Sequence, residues 1–119
     1  MTNTPAPVVS FEPVKYAACV LPVDHPDYAD YVIRVIRRPH GQWEVFHAGP
    51  QGEGGHGGKY LSADGRWCSR DEHHWWSRDE HLLDLDTARA LALDAAVTVV
   101  VHGRTAIDVI AADKVAVVR

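Results

Sequence analysis

The chain predicts an α+β fold: an antiparallel β-meander sheet with one main helix packed on it and a C-terminal strand. Three observations lead there. Residues 31–48 hold two alternating runs around Pro39-His40-Gly41-Gln42, the pattern of a hairpin with one buried face. Asp64-Gly65 separates Tyr60-Leu61-Ser62 from Arg66-Trp67-Cys68, a strong turn signal between two further strands. Residues 86–97 then change to a helical period with small residues on one stripe. The chain has 119 residues, 46 % of them hydrophobic, which suits one globular domain rather than two.

Residues 1–13 are polar and carry Pro5, Pro7 and Pro13; they read as an extended N-terminal arm before a single domain at 14–119. No basic n-region or apolar core marks a secretion signal. The apolar run 14–21 is read as a first strand, although Tyr16-Ala17-Ala18-Cys19 also suits a helix. Residues 23–27 are turn chemistry, with Asp24 or Asp27 placed to cap a short helical turn. In the hairpin, Tyr31, Ile33 and Val35 point one way and Val32, Arg34 and Ile36 the other. On the return strand, Trp43 and Val45 oppose Glu44 and Phe46.

The main helix is expected at 86–97, with Asp86 as its cap and Leu85 as a hydrophobic staple. Ala88, Leu91, Ala92 and Ala95 form the stripe that should lie on the sheet. Residues 97–101 are β-branched and apolar, so a buried strand joining the sheet is expected. His102-Gly103 ends it. Beyond, Thr105 is placed to cap a short helix carrying Ile107, Val109 and Ile110, and residues 114–119 read as an edge strand or a fraying end.

Net charge is −4 and all of it sits at 69–94, where seven acids face three arginines. No basic stripe follows a phosphate backbone, so nucleic acid is not expected as a partner. No apolar run approaches membrane-spanning length, roughly 20 residues, so the expected compartment is the cytoplasm. Two cysteines, Cys19 and Cys68, are too few for a disulfide framework and read as buried free thiols.

Residues 49–58 contain six of the nine glycines. Gly52-x-Gly54-x-x-Gly57 matches a dinucleotide fingerprint as a string, but Lys59-Tyr60-Leu61 after it reads as a strand where that fingerprint needs a helix. A flexible hairpin loop is the better reading.

The most conspicuous stretch is a tandem repeat. Ser69-Arg70-Asp71-Glu72-His73 returns as Ser77-Arg78-Asp79-Glu80-His81, with Trp75 and Trp76 between the copies. Tryptophan flanked by Arg and His has the composition of an interaction hot spot. Arg70, His73, His74, Trp75, Trp76, Arg78 and His81 are therefore the candidate contact residues for a protein partner, the equal alternative for Trp75 and Trp76 being a lid packed over the end of the sheet. The alternative is a metal site, that of a metal-binding protein or of a metal-dependent hydrolase, Zn being the cation these donor types suit, with His73, His74, Glu80 and His81 as candidate ligands. Their spacing matches no familiar zinc pattern, so no cofactor is the first expectation. His73 and His81 also lie near acids, but neither Ser69 nor Ser77 sits in a nucleophile elbow, and an enzyme is the less favoured class.

The second half resembles a group of small proteins, without an assigned activity, common in actinobacteria and their phages. The shared layout is Leu61, Asp64-Gly65-x-Trp67, Ser77-Arg78-Asp79, Leu85-Asp86 leading into Ala90-Leu91-Ala92, the valine run, and a Gly103-x-Thr105-Ala106 turn. The chain departs where the first repeat copy stands as an insertion, and at His102, where such proteins often carry Asn. The resemblance implies no activity; it adds a phage-encoded module acting on a host protein to the expectation of protein binding.

Overall fold

The fold was analysed on a computed structural model, which describes residues 12–49, 59–68 and 82–118. Among the described residues, five strands form one antiparallel sheet in sequential order: β1 Lys15–Ala18, β2 Ile33–Arg38, β3 Gln42–His47, β4 Lys59–Leu61 and β5 Trp67–Cys68. The helices described with it are α1 Tyr28–Tyr31, α2 Leu85–Thr98 and α3 Ala106–Val118. The architecture is α+β, with α2 lying across β1, β2 and β3 and α3 packed on α2.

The β2–β3 hairpin forms because alternation and turn chemistry agree. Ile33, Val35, Trp43 and Val45 are all buried, on the face that meets α2, and burying each such side chain contributes roughly 1.5–3 kcal/mol. The three-residue loop Pro39–Gly41 holds His40 and Gly41 at positive φ (66° and 69°), which closes the turn between Arg38 and Gln42. On the opposite face Glu44 is only 3 % exposed. It is paired with Arg38, whose Nε lies 3.0 Å from one carboxylate oxygen and whose Nη2 donates to the other at 3.4 Å.

Tyr31 departs from its expected place on the strand. It ends the single turn α1, and the strand starts at Ile33. Its hydroxyl donates to the carbonyls of Arg104 (2.8 Å) and Val101 (3.2 Å), so the side chain ties α1 to the connection between α2 and α3. Asp27 occupies the cap position of α1 without a capping side-chain bond; its amide donates to His25 Nδ1 instead.

Helix α2 begins one residue before the expected range. Asp84, not Asp86, is its cap and accepts from the Thr87 amide at 2.7 Å. Leu83 sets this start: its amide and carbonyl pair with those of Trp43 at 2.9 and 2.8 Å, so the chain must turn at Asp84. The predicted stripe is correct for Ala88, Ala92 and Ala95, joined by Ala96, while Leu91 is partly buried.

The strand expected at 97–101 does not form. Val97 and Thr98 complete α2, and the Val99 amide bonds back to the Ala95 carbonyl. Val99 and Val101 are buried, but in the corner between the helices, where Val101 forms an isolated bridge with Arg104 across His102-Gly103. Both turn residues have positive φ, 52° and 79°. Helix α3 replaces the expected short helix and fraying end. Its start is a reciprocal cap, in which Asp108 accepts from the Thr105 amide and Thr105 Oγ1 accepts from the Asp108 amide. No helix among the described residues is long and apolar enough to cross a membrane.

Candidate binding groove at the sheet edge

Strand β1 is the first strand of the sheet, and among the described residues no strand pairs with its outer side. The hydrogen-bond phase of β1 follows from one bond. The Arg37 amide donates to the Val14 carbonyl at 2.9 Å, and the register pairs Tyr16 with Val35 and Ala18 with Ile33. In an antiparallel ladder hydrogen-bonded and non-hydrogen-bonded positions alternate. Val14, Tyr16 and Ala18 therefore direct their backbone groups to β2, and Lys15 and Ala17 direct theirs to the open edge. Both of these residues are exposed.

Side chains alternate in the complementary sense. Tyr16 and Ala18 point toward α2, where Tyr16 stacks on Trp43 at 5.4 Å between ring centroids. Between this edge and α2 lies a cavity of about 190 Å³ lined by Tyr16, Ala18, Val35, Arg89, Ala92 and Leu93. Small residues on both walls, Ala18 and Ala92, leave the space open. Leu93 is 65 % exposed and Val97, one turn further along, 45 %. The Arg89 side chain makes no ion pair or hydrogen bond with any described residue and is exposed.

Other clusters offer less chemistry. The cavity beside the β4–β5 turn is lined by Ser62, Ala63, Asp64 and Arg66, but Ser62 donates to Asp64 and Asp64 accepts from the Arg66 amide. Those bonds hold the Asp64 carboxyl below its ordinary range, the Ser62 hydroxyl having the largest effect. Burial pushes the Cys19 thiol up, which keeps it protonated and a poor nucleophile near neutral pH. His25 is held between the Asp27 amide and Asp113 Oδ2, and His47 is fully buried with Nε2 donating to the Asp30 carbonyl at 2.7 Å. Among the described residues no group of three His, Cys, Asp or Glu is placed to hold a metal ion.

The contact residues expected from the sequence, Arg70, His73, His74, Trp75, Trp76, Arg78 and His81, lie outside the described residues, as do all four candidate ligands, His73, His74, Glu80 and His81. The same holds for residues 50–58 of the glycine-rich loop and 1–11 of the N-terminal arm. The groove residues Tyr16, Ala18, Arg89 and Leu93 were not marked by sequence reasoning. The usable signals were a Lys and a preceding Pro on a short first strand, and a Leu displaced from the alanine stripe of the helix.

No family model, curated protein or solved structure matches the chain.

Proposed function

We propose that this protein is a small protein-binding module whose partner docks at the β1–α2 groove. The open edge of β1 beside an apolar cavity supports this reading. Unpaired strand backbone next to exposed apolar side chains is the arrangement used to capture extended peptides. The tandem repeat at 69–81, with Trp75 and Trp76, is a second stretch assigned to partner contact on its composition alone. The reading assumes the cytoplasm, where the free thiols Cys19 and Cys68 stay reduced. On the further reading that the module is phage-encoded, its partner is a host protein.

Panning a library of short random peptides on the full chain tests the proposal. Enriched peptides should shift the backbone amide resonances of residues 15–18 and 89–97, and Leu93→Glu should abolish their binding while the circular dichroism spectrum is kept. A library that yields no saturating binder refutes the reading. So does a set of binders that leaves those amides unmoved and still binds the Leu93→Glu variant.

A further inference from the structure

We infer that the groove takes an extended acidic segment of another protein, added as a further strand alongside β1 with a carboxylate on Arg89. This rests on the protein-binding reading and names the chemistry of the partner.

Three observations place backbone, apolar and charged recognition on one side of the molecule. The amides and carbonyls of Lys15 and Ala17 face outward from β1, so an added strand finds four backbone groups spaced as in a ladder. The cavity of about 190 Å³ lies beneath that edge, where alternate side chains of an added strand project toward α2. An apolar cavity of roughly 150 Å³ takes benzene, so one branched or aromatic side chain fits. Arg89 lines the same cavity, and Lys15 lies on the same edge with its side chain on the face away from α2. Neither makes an ion pair with any described residue, so Arg89 is open to a carboxylate of the added strand.

The same charges argue against a second copy of the chain as the occupant. Joining two copies edge to edge brings two Lys15 and two Arg89 side chains toward one another, and a lysine on an edge strand is a common guard against self-pairing. An acidic strand turns that guard into attraction.

The test pans the random-peptide library in parallel on the wild-type chain and on Arg89→Gln. Arg89 is exposed, so the variant should keep the wild-type melting temperature. Wild-type binders should show Asp or Glu within an alternating apolar pattern, and Arg89→Gln binders should lose the acid. For one enriched synthetic peptide, its Glu→Gln form should bind wild type about fivefold to tenfold more weakly, the usual advantage of a charged over a neutral hydrogen-bond partner. The two forms should bind Arg89→Gln equally. Hydrogen exchange at the Lys15 and Ala17 amides should slow in the complex. Binders that dock at the groove without acid preference, or that leave those two amides unprotected, overturn this inference and leave the protein-binding reading standing. A peptide-free chain that dimerises with both amides protected overturns it in favour of a second copy. Failure to enrich any binder sinks both.

Discussion

Replacing Tyr31 by Phe removes one oxygen and keeps the ring in its buried site, so the effect isolates a hydroxyl. That hydroxyl is 2.8 Å from the Arg104 carbonyl and 3.2 Å from that of Val101. Both carbonyls keep another donor, because Val101 and Arg104 exchange backbone bonds at 2.9 and 3.1 Å. The substitution therefore leaves no buried acceptor orphaned, and the loss should be about 1 kcal/mol, not the 2–3 kcal/mol of an unsatisfied group. For a domain of this size that lowers the melting temperature by roughly 3–6 °C. The pH dependence adds a second signature. Desolvation by burial raises the Tyr31 pKa above its ordinary value, opposed by Arg104 and helped by Asp27, Asp30 and Asp108. The unfolded chain then releases this proton before the folded one does. Wild-type stability due to the protonated hydroxyl is complete below about pH 10 and declines as pH rises through the folded pKa. Urea unfolding of both proteins at several pH values reads this directly, since the other tyrosines cancel in the comparison. The deficit of Tyr31→Phe should be full at neutral pH and shrink in alkali. No deficit at neutral pH, or one that stays constant in alkali, refutes the assignment.

Four further outcomes follow from other sites. His102→Asn relieves a histidine held at φ 52° on an exposed turn, and should raise the denaturation midpoint by up to about 1 kcal/mol equivalent, since Asn visits this region at lower cost. Gly49→Ala should destabilise by about 2–4 kcal/mol, because the new methyl at this half-buried position meets the Asp30 carbonyl and the buried His47 ring, neither of which can yield without breaking their hydrogen bond; thermal unfolding checks it. Removing Arg38 strands a carboxylate that is only 3 % exposed, whereas Arg38, about one-third exposed, can turn to water. Arg38→Ala should thus cost about 3 kcal/mol, Glu44→Gln clearly less, and Arg38→Ala/Glu44→Ala should recover part of the loss in urea titrations. Trp75→Ala and Trp76→Ala should abolish partner pull-down with the fold kept, and equal loss of thermal stability with the partner still bound would assign both rings to packing.

What was legible in the sequence was local. The β2–β3 hairpin follows from alternation, and the α3 start follows from Thr105 as its cap. What was misread depended on distant partners. Asp84 and Asp86 are the same residue type near one helix start, and the choice between them is made by Leu83 pairing with Trp43, forty residues away in the chain. The valines at 97–101 predict a strand because β-branched apolar residues report burial before they report backbone. Here burial is met in the corner between two helices. Tyr31 looked like a strand residue by alternation, but its hydroxyl partners lie beyond α2. The groove was illegible for the same reason: Tyr16 and Ala18 come from the first strand, Arg89 and Leu93 from a helix about seventy residues later, and no local pattern joins them.

The alanines of α2 link stability to the proposed binding. Ala88, Ala92, Ala95 and Ala96 are buried and let the helix lie close to the sheet. Over β2 and β3 the opposing side chains are large, Val35, Val45 and Trp43 among them, and they fill the interface. At β1 the opposing residues are Tyr16, which leans on Trp43, and Ala18, which faces Ala92 across the cavity; beyond them no described strand continues the sheet, so the space remains. A helix serving only this core would need nothing apolar on the side of Leu93 and Val97, and a polar pair there would be better solvated. An exposed leucine, an edge strand or an unpaired arginine is ordinary alone. Here the arginine and the leucine line one cavity under an edge whose backbone faces outward, in the arrangement that an incoming acidic strand would meet.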